Sequence, residues 1–412
     1  MSFKKINAWL HLWLGISSGI IVVIVSLTGC IYVFEKEIRS VYEPWRFVKA
    51  TEQAYLPPSA LMESAQPFLG KREKPNSVVY REKGEAATVS SFDRKKGKFT
   101  SIYLNPYTGE VQHKVSMNRK TGEGDFDFFR FVLDGHRALW LPYDIGRPIV
   151  GVAVLTFVLI LISGLILWWP KNLKKANVDK SFKIKWGASF KRVNYDLHNV
   201  FGFYSMIFLL IISLTGLVWS FEWYSKSLYW VTSAGKSLPE HRQPSSDTTN
   251  LAEFEVSSVD KIYASLKNKE NEGIFLSIPK KKEDVISATL YLRAGTFYKA
   301  DNYYYDQITL KELKGTGPFA GNYADASGAD KLRRMNYDIH IGAILGIPGK
   351  VIAFFVSLVS ASLPITGFMV WLGRKKKKKK KPATGTGRTG TVKRSPNLTI
   401  TPQATAAMQA NS

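Results

Sequence analysis

The chain carries the same spaced set of residues twice, and this duplication restricts what it can fold into. In each copy a histidine is followed four residues later by glycine, then by Ser-Leu-Thr-Gly and by Phe-Glu. The copies begin at His11 and His198, and every element is offset by 187 residues. Both copies run through long apolar segments. A histidine therefore enters two different membrane helices at the same depth, as a haem gripped between two helices requires.

Four segments are apolar enough to cross a membrane, because each reaches or exceeds the roughly 20 residues that a hydrocarbon core of about 30 Å requires. The sequence therefore predicts an α-helical membrane protein with four transmembrane helices. Its predicted parts are the N-terminus with span one (1–34, the span from residue 8), an outer segment (35–147), span two (148–169), a basic loop (170–199), span three (200–221), a second outer segment (222–347), span four (348–372) and a tail (373–412).

The distribution of charge along the chain predicts its orientation. The formal net charge is +24, and the first seven residues, the basic loop and the tail carry +2, +6 and +11 of it. The outer segments 35–147 and 222–347 have net charges of only +4 and 0. The positive-inside rule assigns the basic side to the cytoplasm, so we expect both termini inside and both large segments outside.

The strongly basic composition does not indicate a nucleic-acid partner. The densest basic run, residues 374–381, directly follows the fourth apolar span, where lysine and arginine contact anionic lipid head groups. Beyond Pro382 the chain is rich in Thr, Gly, Pro, Asn and Ala, which predicts disorder. The string Gly-Thr-Gly-Arg-Thr-Gly at 385–390 matches a dinucleotide-binding fingerprint by letter alone, since no strand precedes it and no apolar helix follows.

The single cysteine, Cys30, excludes an intramolecular disulfide and covalent haem attachment through Cys-x-x-Cys-His, so any haem must be non-covalent. The string Leu27-Thr28-Gly29-Cys30 resembles a bacterial lipoprotein cleavage box. However, the apolar run continues to Phe34, and the second copy has Leu217 in place of the cysteine. We therefore expect the first span to be retained as a membrane helix.

The two outer segments are each more than a hundred residues long, which is enough for small folded domains. Residues 101–111 of the first, and 296–306 with 307–313 of the second, have the pattern of β-hairpins. Helical spacing of Leu61, Ala65 and Phe68 ahead of the first hairpin predicts two outer α+β domains. Neither segment contains a zinc motif, a serine nucleophile elbow or a phosphate-binding loop, so we expect these domains to bind rather than to hydrolyse.

Four of the six histidines precede the four spans one for one. His11 and His198 lie on the inner side, and His136 and His340 on the outer side. A lone interfacial histidine is usually a polar anchor, but two at each face in matching copies favour metal ligation. Parallel packing of the spans would pair them, and each pair could supply both axial nitrogens of one haem. The other two lie in the outer segments without partners at ligand spacing, and surface or structural roles are expected for them: His113 and His241.

Gly15 and Gly202 lie one helical turn beyond His11 and His198 and on the same helix face. The missing side chain would let a flat macrocycle lie close to the backbone, although glycines also serve helix packing in membranes. The outer histidines precede Pro148 and Pro348 by 12 and 8 residues, which predicts an outer haem at the water interface, accessible to an external electron acceptor. Nearby arginines could pair with haem propionates, and these are Arg137, Arg333 and Arg334.

From residue 6 to residue 374 the chain resembles the PepSY-associated transmembrane proteins. The resemblance rests on Leu10-His11-Leu12-Trp13-Leu14-Gly15 with Leu27-Thr28-Gly29, on Asp134-Gly135-His136 with the stretch Gly164 to Pro170, on Asp196-Leu197-His198 with Gly202, and on Asp338-Ile339-His340 with Leu363-Pro364-Ile365-Thr366-Gly367. These are bacterial inner-membrane proteins that include periplasmic siderophore-iron reductases. The resemblance implies two b-type haems and PepSY-like outer domains in the periplasm. It leaves the substrate undetermined.

The expected function is that of a dihaem electron conduit. Electrons would enter from a cytoplasmic reductase or from quinol, because some relatives carry a flavin and nicotinamide domain that this chain lacks. They would leave the outer haem to reduce a ferric siderophore or another Fe(III) chelate, and reduction weakens the hold of hard oxygen ligands on iron. No catalytic residue is identified beyond the haem ligands. Two alternatives remain open: a non-enzymatic PepSY-type regulator of envelope peptidases, and a membrane sensor without a redox centre.

Overall fold

The computed structural model describes residues 2–70, 73–170, 172, 174–250 and 252–379. In chain order its helices are α1 (Phe3–Tyr32), α2 (Glu35–Tyr42), α3 (Pro58–Ala65), α4 (Phe128–Ala138), α5 (Tyr143–Trp168), α6 (Lys175–Phe182), α7 (Phe190–Ser220), α8 (Glu222–Thr232), α9 (Ser257–Leu266), α10 (Gly328–His340) and α11 (Gly346–Lys379). The strands are β1 (Ser77–Tyr80), β2 (Ala87–Asp93), β3 (Lys98–Leu104), β4 (Val111–Asn118), β5 (Gly273–Ser277), β6 (Ile286–Tyr291), β7 (Ala300–Tyr305) and β8 (Glu312–Leu313).

Four helices are long and apolar enough to cross a membrane, which confirms the prediction of a four-span membrane protein. They are α1, α5, α7 and α11, and each extends beyond its apolar stretch. The largest extension is at α7, which begins ten residues before the predicted span and includes Asp196. This buried carboxylate accepts a hydrogen bond from the guanidinium of Arg192 at 2.8 Å. A charged turn can therefore continue the helix outside the hydrocarbon layer. Past Lys379 the predicted tail lies outside the described residues.

A small apolar core joins the four long helices near their middle. Each helix contributes at least one buried side chain to it: Val22, Phe157, Leu161, Leu209, Val356 and Leu363. Polar side chains in these helices bond to helix carbonyls or to each other, as Ser26 does with Ser360 of α11 at 2.9 Å. Cys30 lies buried within α1, which continues through it, and its thiol faces the Phe354 carbonyl oxygen at 3.4 Å. Apolar packing and small hydroxyls are how membrane helices associate.

The two outer segments share a single antiparallel sheet of eight strands, in the order β4-β3-β2-β1-β5-β6-β7-β8. The join is the pairing of β1 with β5, in which Val78 lies opposite Leu276. Both predicted hairpins are present, since β3 pairs with β4 and β7 with β8. The sequence predicts two α+β domains, and the chain instead connects the two α+β halves edge to edge. Edge strands with free backbone groups pair readily in this way.

Helices α3 and α9 cover one face of this sheet and complete one hydrophobic core across both halves. Leu61 and Ala65 are fully buried in it, as their helical spacing predicted, whereas Phe68 lies beyond α3 and is exposed. The two helices are tied together by Ser59, whose backbone N–H and hydroxyl donate to the Asp260 carboxylate at 2.8 and 2.5 Å. The outer part is therefore one body.

A short helix after each outgoing span anchors the helix that carries an outer histidine. In the first half Arg39 of α2 donates to Asp127, the N-cap residue of α4, at 2.5 Å. In the second half Tyr229 of α8 donates to Asp330 in the first turn of α10 at 2.8 Å. Lys350 of α11 donates to Glu37 of α2 at 2.6 Å and so links the two halves. These bonds set where α4 and α10 sit above the spans.

The joined sheet predicts which engineered cysteines form a disulfide. In a Cys30→Ala background, Ser77→Cys with Ser277→Cys should cross-link on mild oxidation, because these residues are direct partners on β1 and β5 and paired strand residues lie within disulfide range. Trypsin cleavage in the basic loop should then leave the halves joined on a non-reducing gel.

The matched control is Ser77→Cys with Ser287→Cys. Ser287 lies beside Ser277 on the next strand, and two strand intervals of about 4.8 Å each are too long for a disulfide. Equal cross-linking of both pairs, or none at Ser77 and Ser277, would contradict the pairing of β1 with β5.

Candidate functional site

The structure brings the four predicted histidines together as two pairs. The imidazole centroids of His11 and His198 are 6.4 Å apart, with the ring planes at 87°. Those of His136 and His340 are 6.1 Å apart, with the planes at 64°. Each pair combines one histidine from each half of the chain. His11 and His198 come from α1 and α7, whereas His136 and His340 come from the short helices α4 and α10.

The inner pair is held by hydroxyls from the neighbouring spans. His11 Nδ1 lies 2.7 Å from the Ser163 hydroxyl of α5, and His198 Nδ1 lies 2.9 Å from the Thr366 hydroxyl of α11. An asparagine one helical turn before each inner histidine bonds to the backbone of the same hydroxyl residue. Asn7 donates to the Ser163 carbonyl and Asn194 donates to the Thr366 carbonyl. The two copies therefore support their histidines by the same contacts.

The outer pair is held by α1 and α7. His136 Nδ1 lies 2.9 Å from the Val25 carbonyl oxygen and 3.3 Å from the Thr28 hydroxyl of α1. His340 Nδ1 lies 3.0 Å from the Ile212 carbonyl oxygen and 3.0 Å from the Thr215 hydroxyl of α7. Thr28 and Thr215 belong to the duplicated Ser-Leu-Thr-Gly strings. Those strings therefore position the outer histidines rather than the inner ones.

These hydrogen bonds determine which ring nitrogen carries the proton. The hydroxyls of Ser163, Thr366 and Thr215 each point to a carbonyl one turn back in their own helix, as Ser163 does to Ile160 at 2.9 Å. Thr28 does the same. At the outer pair the Val25 and Ile212 carbonyl oxygens can only accept, so Nδ1 carries the proton there. At the inner pair the hydroxyls favour the same tautomer, which leaves Nε2 with the lone pair that can bind a metal.

The Cε1 edge of each histidine ring lies close to a glycine that follows the supporting hydroxyl residue. A methyl group at that glycine would come within 3.1 to 3.2 Å of the ring carbon Cε1, which is tighter than ordinary contact. The pairs are Gly164 with His11, Gly29 with His136, Gly367 with His198 and Gly216 with His340. The hydroxyl fixes the ring by a hydrogen bond and the glycine makes room for it. In the sequence, Thr28-Gly29 and Thr215-Gly216 stand out only as part of the duplication.

The supports of the inner pair were missed in the sequence although a signal was present. Every span contains an apolar residue followed by Ser or Thr and then Gly, and in spans two and four these are Ser163-Gly164 and Thr366-Gly367. By contrast, Gly15 and Gly202 contact neither histidine ring. A methyl group at Gly15 would meet no protein atom within 4 Å, and at Gly202 it would meet only Leu363. That Gly15 and Gly202 contact a macrocycle remains a prediction.

Burial favours the neutral form of the outer histidines. Desolvation, together with the neighbouring His136, lowers the pKa of His340 to about 4. Desolvation also lowers the pKa of His136. Neutral imidazole is the form that binds a metal. The described residues contain no group of three or more His, Cys, Asp or Glu side chains placed to hold a metal ion, so an ion at either pair would need its remaining ligands from elsewhere, as in a porphyrin.

The arginines near the outer pair differ in what they can contact. Arg334 donates to three backbone carbonyl oxygens, those of Pro318, Ala300 and Ala320, so its guanidinium is occupied. Arg137 donates to the Tyr143 hydroxyl at 2.7 Å. Arg147, which the sequence analysis did not single out, has a buried Nε without a hydrogen-bond partner and lies over the same tyrosine ring. A cationic pair thus lies at the start of α5.

The other two histidines lie away from the pairs. His113 on β4 stacks on the Trp45 ring with the centroids 4.1 Å apart. His241 lies in the second half, where its ring contacts Phe319 and lines a cavity on the sheet. The structural role expected for His113 agrees with its stacking, and the cavity at His241 was not foreseen.

Comparison with known proteins identifies a family match that extends over the four spans. A comparison with curated proteins gave no match. The family model described as the PepSY-associated TM region matches residues 8–374, which includes all four spans, both outer segments and both histidine pairs. The chain therefore belongs to the family of proteins with a PepSY-associated transmembrane region.

Proposed function

We propose that this chain is a bacterial inner-membrane electron-transfer protein that holds two non-covalent b-type haems and reduces Fe(III) chelates, such as ferric siderophores, in the periplasm. One haem would lie at each histidine pair. The observation that carries the proposal is the spacing of the imidazoles, with centroids 6.4 and 6.1 Å apart in two independent pairs. A regulator without a redox centre would have no need of two such pairs.

The distance between the paired imidazole centroids can be compared with the distance expected for two ligands of one metal ion and with that expected for a direct hydrogen bond. A metal–imidazole bond is about 2.0 Å long and a ring nitrogen lies about 1.1 Å from the ring centre, so two imidazoles on opposite sides of one ion have centroids about 6.2 Å apart. A direct nitrogen–nitrogen hydrogen bond of about 2.9 Å would bring the centroids to about 5.1 Å. Both observed distances agree with the first value, which supports a metal between the rings.

The surrounding residues suit bis-histidine ligation of haem. A haem bound at each pair would supply a one-electron couple. Ser163, Thr366 and their counterparts keep the proton on Nδ1, orient the rings and raise the basicity of Nε2. At the outer pair, Arg137 and the unpartnered Nε of Arg147 are placed to meet acidic groups of a macrocycle.

The direction of electron flow follows from the charge asymmetry of the chain. The basic loop and tail favour the cytoplasm, which would put His11 and His198 on the cytoplasmic side and the sheet in the periplasm. Electrons would enter from a cytoplasmic reductase or from quinol. They would leave from the outer pair, which lies beneath the outer body. Reduction of Fe(III) to Fe(II) releases iron because hard oxygen ligands hold Fe(II) less tightly.

Single and double histidine variants test the pairing. His11→Ala and His198→Ala should each remove one of two haems, so the pyridine haemochrome signal should fall by about half, because both axial ligands come from the pair. The double variant of His11 and His198 should lose no more than either single one. Combining His11→Ala with His136→Ala should remove both haems. The control is His113→Ala, which lies in the outer part. Full haem content in both inner variants would contradict the pairing.

The hydroxyl that supports His11 makes a second test. Ser163→Ala removes the acceptor of the Nδ1 proton, and loss of an outer-shell partner typically weakens metal binding about 10- to 100-fold. Haem titration of the apoprotein should therefore show weakened binding at the inner site, whereas Ser163→Thr keeps the hydroxyl and should retain affinity. The matched control is Ser17→Ala, an exposed serine that bonds only to a carbonyl of its own helix. Equal affinity in Ser163→Ala would mean that the bond does not orient a ligand.

Reporter fusions test the orientation. Fusions after Arg46 and after Ser245 should be active only with a periplasmic reporter, and fusions after Lys175 and Lys393 only with a cytoplasmic one, because the basic segments should stay inside. A periplasmic signal from the Lys175 fusion would move His198 to the outer face and overturn the assignment of an inner haem.

A further inference from the structure

The second half of the sheet contains an open cavity on the face opposite the hydrophobic core. Its volume is about 310 Å³, which lies in the range of small-molecule sites. Core residues of β6 alternate with cavity residues along the strand: Ile286 and Leu290 face the core, and Ser287 and Thr289 face the cavity. The walls are aromatic rings and neutral polar groups, with Arg334 as the one charged side chain among the lining residues.

In the first half the corresponding face of the sheet is covered. There the residues that face away from the core on β2, Thr88 and Ser90, are buried. The segment before α3 covers this side of the half, since Trp45 stacks on His113 and Arg46 lies over the Tyr103 ring. The two halves share their strands and their histidine contacts, so the open face of the second half is a difference that packing does not require.

Helix α10 forms a common wall between the cavity and the outer histidine pair. Its last residue is His340, and Arg334 of the same helix lines the cavity and bonds to the carbonyls that frame it. Asp338 is fully buried and accepts from the Phe297 backbone N–H at 3.1 and 3.2 Å. Phe297 lines the cavity. A ligand in the cavity would therefore rest on a loop that is fastened to the helix of His340.

Aromatic rings connect the cavity to His340 without a break. The Phe297 and Tyr337 centroids are 5.3 Å apart, those of Tyr337 and Trp219 are 6.2 Å apart, and those of Trp219 and His340 are 5.3 Å apart. Electronic coupling falls steeply across an empty gap. Rings at these centroid distances are in contact, so no gap separates one ring from the next. In the first half the residue three before His136 is Leu133, so the ring that Tyr337 supplies has no counterpart at that position.

We propose that this cavity binds the electron acceptor, an anionic Fe(III) chelate with aryl groups, and that Phe297, Tyr337 and Trp219 connect it to His340. This inference rests on the proposed function and identifies its substrate class. Aromatic walls favour flat aryl groups. Among the described residues that line the cavity there is no carboxylate, Arg334 lies in its wall, and Arg293 donates to the Tyr298 hydroxyl at its edge, so anions are favoured over cations. One electron from the membrane site converts Fe(III) to Fe(II), and that site is oxidised by one electron; no bond or proton is exchanged in this step.

Binding can be measured without electron transfer by using gallium. Ga(III) has the charge of Fe(III) and a similar radius but is not reduced under these conditions. The probe is the Ga(III) complex of 2,3-dihydroxybenzoate, titrated into the full-length haem-loaded protein in detergent and followed by calorimetry. The Ga(III) complex of acetohydroxamate, which has no aryl group, should bind at least tenfold more weakly.

A filling substitution locates the site. Ser287→Phe places a ring in the cavity and should weaken binding of the aryl gallium complex at least tenfold. The matched control is Ser265→Phe, an exposed position on α9 at the opposite face of the sheet, which should bind as the unaltered protein does. Haem spectra of both variants establish that the membrane site is intact. Unchanged binding in Ser287→Phe, or equal binding of the two gallium complexes, would overturn the assignment of the cavity.

Substitution of Tyr337 distinguishes an effect on electron transfer from an effect on ligand binding, because the Tyr337 ring does not line the cavity. Tyr337→Leu should bind the aryl gallium complex normally but slow reoxidation of the dithionite-reduced protein by the matching Fe(III) complex at least tenfold in stopped flow. Tyr337→Phe keeps the ring and should recover most of that rate. Unchanged reoxidation in Tyr337→Leu would overturn the path. If the gallium complex binds in the cavity and the protein contains no haem, the proposed function fails while the binding site stands.

Discussion

An imidazole within or beside a bilayer must have its N–H satisfied, and the four Nδ1 hydrogen bonds of the histidines are the interactions on which this arrangement depends. Each bond crosses from one helix to another: α1 to α5, α7 to α11, α4 to α1 and α10 to α7. Such bonds contribute only about 0.6 to 2 kcal/mol each in membranes. Their larger effect is geometric, because they fix the ring orientations that bring the four imidazoles together as two pairs.

The inner histidine pair could be predicted from the sequence, because the two copies of the repeat have the same spacing throughout the first and third spans. From His11 to Glu35 the offset stays at 187, so the inner pair and the Ser-Leu-Thr-Gly strings stand out. Beyond that point the outer segments differ in length, and the offset becomes 204 at the outer histidines and 203 at Ser163 and Thr366. The supports of the inner pair were hidden by this change of offset, although their residue types repeat.

The joined sheet could not have been predicted from local patterns. Strand periodicity indicates which residues face a core, but it says nothing about which edges meet, and Val78 pairs with Leu276 across almost two hundred residues of intervening chain. The two sets of strands look like two domains in the sequence because each has its own hairpin and its own helix. One core across α3 and α9 unites them, since two small sheets bury less apolar area apart than together.

The distance between the two histidine pairs follows from the same repeat. Val25 lies fourteen residues beyond His11, and Ile212 lies fourteen beyond His198, so the pairs are separated by about 21 Å along the helices at 1.5 Å per residue. Apolar side chains such as Leu161 and Leu209 fill that interval, and hydroxyls within it bond to carbonyls of their own helices, as Ser18 and Ser205 do. The interval between the pairs is therefore packed with apolar side chains and with hydroxyls that are already bonded. The electron transfer proposed above would require such a layer, because it would keep the membrane closed to ions.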